Sequence, residues 1–323
     1  MMVRLFLVLA GSGLTLAASA QETLILSDAR IAPSAQEIAF SAARGKEFFV
    51  FEQRLAAGSK AVRISSEAPG FDCFAPAYSP DGRYLLYLKQ PTAVTKKTNF
   101  ADVILYDRQL HTNQQITSSK QNIRQALFSA DGKRIVYTAA GFFGSYSPVG
   151  PKAPHELDLH SMTLAGADHV QHSRIKAYAL GNLARLQAPG TYLMNIYDPR
   201  QKLSGTYAYT LSDSINFKLV KDKVAAEHQL DHLPNLTASS QKTVVYSIGN
   251  ELFSKSMING SSEKIYSGQA HSNPHPMDFV GSQNAIIFSE TLRENPQAAI
   301  GVLRINLLNL EDSQVTQVPI RVE

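Results

Sequence analysis

Along most of the chain, short runs of alternating or wholly apolar residues are separated by polar turns, and no stretch of about twelve residues carries a helical period. The clearest unit is Tyr78-Ser79-Pro80-Asp81-Gly82-Arg83-Tyr84-Leu85-Leu86-Tyr87. An aromatic anchor, a turn and an apolar run describe two short antiparallel strands, with Pro80 and Asp81 suited to the turn and Gly82 free to take positive φ. Phe128-Ser129-Ala130-Asp131-Gly132-Lys133-Arg134-Ile135-Val136-Tyr137 repeats the unit without the proline. Worn copies align on Ile31, Leu186, Leu236 and Phe279, so the six anchors lie 43 to 58 residues apart. Each interval has room for two further strands, such as 46–53 and 61–65 after the first anchor or 102–107 and 113–117 after the second. A recurrence of roughly 40 to 50 residues holding several strands predicts an all-β fold, a six-bladed β-propeller of four-stranded antiparallel blades. The run 22–26, ahead of the first blade, is expected to close the ring by adding to the outer edge of blade 6.

The Tyr78-Ser-Pro-Asp-Gly-Arg and Phe128-Ser-Ala-Asp-Gly-Lys units, each followed by an apolar strand ending in Tyr, resemble the repeat of TolB-type β-propellers. Those propellers occur in bacterial periplasmic proteins and in the propeller domains of some peptidases. TolB carries an α/β domain ahead of its propeller, and none is expected here. The resemblance implies a fold; the same repeat serves scaffolds, lyases and peptidase gates.

Arg4, the apolar stretch 5–18 and Ala18-Ser19-Ala20 read as a secretory signal cleaved after Ala20, which predicts a periplasmic protein with a single propeller domain over 21–323. The apolar stretch is broken by Gly11, Ser12 and Gly13 and is too short for a membrane span. Cys73 is the only cysteine, so no internal disulfide can form, and its expected place is the core. A net charge of +4 and an isoelectric point near 9.0 lack the concentrated basic runs of nucleic-acid binders.

In a four-stranded blade, the loop before strand 1 and the loop between strands 2 and 3 share one face, and the Asp-Gly turns lie on the other. Asp81 and Asp131 therefore read as turn residues, not as paired acids. Four residues before each anchor stand Ser27, Phe74, Arg124, Asn182, His232 and His275, which the ring is expected to gather at a channel mouth. Lys89, Lys96, Lys97, Lys152, Arg200 and Lys202 fall in loops of that face, making it basic and attractive to anions. The insertion 139–154, with Phe142, Phe143 and Tyr146, is expected to be a lid or partner-contact loop.

Two functions follow. The favoured one is a non-catalytic binding or scaffold propeller of the bacterial cell envelope, without a cofactor, engaging a protein or peptide at Arg124, Asn182, His232, His275, Lys96, Lys97, Phe142, Phe143 and Tyr146. The alternative is a metal-dependent lyase or hydrolase acting on an anionic oligosaccharide. It rests on the similarity of Gln269, His271 and His275, with His232, to the divalent-metal site of oligogalacturonate lyases. His232 and His275, at equal offsets in adjacent blades, are expected to lie close enough to share a ligand.

Overall fold

The computed structural model describes residues 25–65, 69–93, 100–118, 122–143, 154–186, 190–211, 217–238, 243–280, 284–292 and 302–322. Its strands form six antiparallel sheets of four, each sheet in chain order. Blade 1 holds β1 (Ile25–Ile31), β2 (Glu37–Arg44), β3 (Glu47–Arg54) and β4 (Val62–Arg63). Blade 2 holds β5 (Phe71–Tyr78), β6 (Tyr84–Pro91), β7 (Asp102–Asp107) and β8 (Thr112–Gln115). Blade 3 follows with β9 (Asn122–Phe128), β10 (Arg134–Phe143), β11 (Pro154–Thr163) and β12 (Val170–Gln171). Blade 4 has β13 (Ala179–Arg185), β14 (Thr191–Asp198), β15 (Leu203–Thr210) and β16 (Phe217–Leu219), followed by the short helix α1 (Lys223–Glu227). Blade 5 has β17 (Thr237–Ala238), β18 (Thr243–Ile248), β19 (Glu251–Ser256) and β20 (Ser262–Ser267). Blade 6 has β21 (Ser272–Val280), β22 (Ala285–Leu292), β23 (Val302–Asn309) and β24 (Val315–Val318). The first strands β1, β5, β9, β13, β17 and β21 neighbour one another in turn, and β21 returns to β1. The chain is a six-bladed β-propeller.

The two best-preserved turns fold alike. Ser79 Oγ donates to Asp81 Oδ1 at 2.5 Å and accepts from Tyr84 N at 2.8 Å, while Gly82, at φ 71°, donates its N–H to Ser79 O. In blade 3 Ser129 Oγ meets Asp131 at 2.6 Å and Arg134 N at 3.0 Å. The serine hydrogen bond, joined by the N–H of Arg83 or Lys133, lowers both aspartates' pKa values, as expected for acids that cap their own turns.

Between neighbouring blades lies one apolar layer after another. Leu85, Leu86, Tyr87 and Leu88 of β6 are all fully buried, because a middle strand is covered on both faces. Leu85 and Tyr87 face blade 1, packing with Ala39, Val50 and Cys73, while Leu86 and Leu88 face Ile135, Tyr137 and Phe128 of blade 3. Cys73 is buried as expected, and burial pushes its thiol up to about 11.

Two sequence expectations are corrected. Ile25 and Leu26 pair with Ala43 and Ala42 of β2, so the early run leads into blade 1's own first strand; 22–24 fall outside the described residues. Blade 6 supplies its own fourth strand, and the segment after β24 crosses the seam instead: Gln53 Nε2 donates to Pro319 O at 2.7 Å and Gln53 Oε1 accepts from Arg321 N at 2.9 Å. The irregular insertion also begins later than expected. β10 runs through Phe143, with Phe142 paired to His155 and Phe143 to Pro154, so only 144–153 are left outside the strands and the described residues.

Candidate functional site at the central channel

Five of the six first strands carry a register shift, between Leu26 and Ala29, Phe74 and Ala77, Gly181 and Ala184, Pro276 and Asp278, and around Arg124. A bulge adds a residue and sharpens the local twist. That extra residue falls within the four positions before each of those five anchors, so an offset of four does not select one geometric ring. Arg124 is itself the bulged residue; it is exposed, reaches Asn122 Oδ1 at 3.4 Å, and partial loss of water around its guanidinium lowers its pKa. Asn182 sits in its bulge at φ 54°, and the next N–H, of Leu183, donates to Gln125 Oε1 of blade 3 at 2.8 Å. Phe74 is half-buried against the layer between blades 2 and 3.

The two histidines expected together have different neighbours. The connection from α1 to β17 passes over blade 4, where Leu233 N donates to Thr206 Oγ1 and Asn195 Nδ2 donates to Leu233 O. His232 Nδ1 there meets Asp231 Oδ1 at 2.7 Å, and Asp231 is also held by the Ser204 hydroxyl. His275 instead is half-buried beside Asp28 of blade 1; burial lowers its pKa and Asp28 opposes that. His271 is exposed at φ 66°, and Gln269 gives its carbonyl to Ser272 N. Among the described residues no group of three or more His, Cys, Asp and Glu side chains is placed to hold a metal.

Of the loop cations, Arg200 is tied to Asp198 and to Lys176 O through Nε and Nη2. Its Nη2 donates to Asp198 Oδ2 at 2.6 Å, and that hydrogen bond draws the buried Asp198 down to about 2. Lys89 Nζ stands 4.3 Å over the Phe71 ring. Ser27, Phe142 and Phe143 lie in described strands, but their side chains are outside the described set; Lys96, Lys97, Tyr146 and Lys152 lie outside the described residues altogether.

A cavity opens at the other end of the channel, on the face of the Asp-Gly turns. It measures about 500 Å3 and is walled by all six blades, with Arg30, Arg185 and Asp278 as its charged groups. Each of the three stands one residue before an anchor, as do Ala77 and Leu127 on the same wall. The signal was thus present in the sequence one step from the anchor, downstream of every bulge, where the first strands are back in register. Arg185 Nη1 donates to Phe128 O at 2.9 Å and Ser129 O at 3.0 Å, bridging blades 4 and 3, and Arg30 Nη1 donates to Ala29 O at 2.8 Å. Asp278 ties blade 6 to blade 1 by accepting from Ile31 N at 3.1 Å, and it accepts from Phe279 N at 2.9 Å. Enclosure pushes the Asp278 carboxyl up, while Arg30, these two N–H groups and Arg185 pull it back.

Fold and cavity together define a closed six-bladed propeller with a charged channel mouth. No protein-family model matches the sequence, and no curated protein matches it either. Solved structures do match. An oligogalacturonate lyase from Vibrio parahaemolyticus aligns at 12% identity over 89% of this chain and 75% of its own, with a TM-score of 0.56. A putative TolB from Agrobacterium tumefaciens aligns at 12% identity over 80% of this chain and 84% of its own, TM-score 0.55. A chain of a nidogen/laminin complex aligns at 9% identity over 85% and 90%, TM-score 0.57. At these identities the likeness is one of fold, a TolB-like propeller, and function has to be argued from the site.

Proposed function

We propose that the protein is an exported, non-catalytic binding propeller of the bacterial cell envelope that engages a protein or peptide partner at its central channel. The observation that carries this is the turn-side cavity, where guanidinium groups from two blades reach a space walled by all six. Such a mouth is concave, rigid because each blade is locked to its neighbours, and net positive, which suits capture of an acidic element. The leader-like residues 1–20 support export. The nidogen/laminin structure gives a precedent for a propeller of this size in a protein complex.

The test is crosslinking in intact cells with the wild-type chain and an Arg30→Glu/Arg185→Glu variant. A partner held at the mouth is captured by the first and lost with the second; capture of the same partners by both would overturn the reading. Release of unsaturated products from polygalacturonate, read by ultraviolet absorbance with and without manganese, would replace it with the lyase alternative.

A further inference from the structure

We propose that the turn-side mouth recognises a free carboxylate borne next to an apolar group, the chemistry of a peptide's C-terminal end or of a small aliphatic acid. The inference rests on the channel being the binding site and names what the site reads. Among the described residues Arg30 and Arg185 have no carboxylate within ion-pair distance, and each directs only Nη1 to backbone carbonyls. Nε and Nη2 of both are left, and two such N–H groups on one guanidinium match the two oxygens of a carboxylate. Blades 1 and 4 stand opposite in a ring of six, so the two forks approach the channel axis from opposite sides.

The rest of the wall selects what the carboxylate is attached to. Leu127 and Phe279, both half-buried, line the same cavity beside the more deeply buried Leu183 and Leu236, and its volume of about 500 Å3 accommodates an apolar side chain with its neighbours. Asp278 sets the charge. With its carboxyl ionised, Asp278 against two guanidinium groups leaves a single positive charge in the mouth, matched to a monoanion, and a dianionic phosphate would meet the Asp278 oxygens without compensation. The Asp278 oxygens are directed by Ile31 N and Phe279 N, so the aspartate is held in place and does not swing over to neutralise either arginine.

Isothermal titration of the full chain with a hexapeptide Gly-Gly-Ser-Ala-Val-Leu, as the free acid and as the C-terminal amide, tests this. The free acid is expected to bind at least tenfold more tightly than the amide, and Arg30→Met or Arg185→Met to weaken it by about tenfold to a hundredfold, the cost of a lost charge-assisted hydrogen bond. Arg30→Lys, which keeps the charge but not the fork, gives the same direction in a protein that retains its fold. Asp278→Asn is expected to tighten the free acid. Hexanoate competing as well as the peptide would identify the small acid as the source; failure of hexanoate with success of the peptide would identify the chain end. Equal binding of acid and amide, weaker acid binding by Asp278→Asn, or inorganic phosphate competing as well as the acid would each overturn the proposal. If acid and amide bind alike while the Arg30→Glu/Arg185→Glu variant still loses its crosslinked partner, the carboxylate inference falls and the binding function stands.

Discussion

Ring closure depends on one side chain in a way that can be measured. Gln53 on β3 is 3% exposed, and its amide holds the segment after β24 by both ends, donating to Pro319 O and accepting from Arg321 N; Ala61 N then donates to Arg321 O at 2.8 Å. Val318, Ile320 and Val322 are thereby laid against Phe49, Phe51 and Ile305 over the seam between blades 6 and 1. Gln53→Ala removes both hydrogen bonds, each with a net worth of about 1 kcal/mol, so the loss is about 2 kcal/mol before any loosening of the apolar layer. With an unfolding entropy of about 2.1 cal/mol/K per residue over roughly 300 residues, the melting temperature falls by about 3 °C. Gln53→Glu keeps the acceptor for Arg321 N but turns an oxygen towards Pro319 O, so its loss is at least as large. Calorimetry gives the shift, and hydrogen exchange at the Arg321 and Ala61 amides gives the location. A Gln53→Ala protein with unchanged melting temperature and unchanged protection at both amides would refute the clasp.

Three further outcomes follow from the packing. In blade 3 burial lowers the pKa of His160 and, with Arg134 2.9 Å from the Ser161 hydroxyl that His172 also meets, of His172. The folded state therefore favours neutral imidazoles, so stability present at pH 7.5 declines as pH falls through about 6.5, and a His160→Gln/His172→Gln variant should show a flatter melting temperature between pH 7.5 and 5.5; equal slopes would count against it. Lys255 and Asp222 form an almost wholly buried pair at 3.1 Å, in which Asp222 also accepts from Ala225 N, Tyr246 and Ser262; burial raises that carboxyl and these partners bring it below its usual value. Lys255→Met should cost about 3 kcal/mol or more in urea unfolding, and adding Asp222→Asn should recover part of it, since the penalty is an uncompensated buried charge. Gly166 turns at φ 73° with its missing Cβ 2.1 Å from Ile116 O of blade 2, so Gly166→Ala should lower the melting temperature by several degrees, whereas Gly260→Ala, where nothing lies near the missing Cβ, costs only the strained φ.

The repeat was legible in the chain because a turn is a local event. Ser79 and Asp81 bond to groups within five residues and the Gly82 N–H to Ser79 O, so their spacing alone specifies the hairpin, and apolar runs such as 85–88 specify a strand covered on both faces. Blade number and order followed from the anchors. What tertiary structure decided depends on groups far apart in the chain. Closure rests on Gln53 and Arg321, 268 residues apart, and no local pattern distinguishes that glutamine from any other. The channel site turned on the bulges, because an extra residue in five of the six first strands shifts which side chain faces the axis, and a count from the anchor carries correctly only over residues that the bulge does not separate. Arg30, Arg185 and Asp278 lie one residue before their anchors and keep their place at the mouth, while His275, four residues back across a bulge, stands beside Asp28 of blade 1, and His232, in the connection from α1 to β17, meets Asp231 over blade 4.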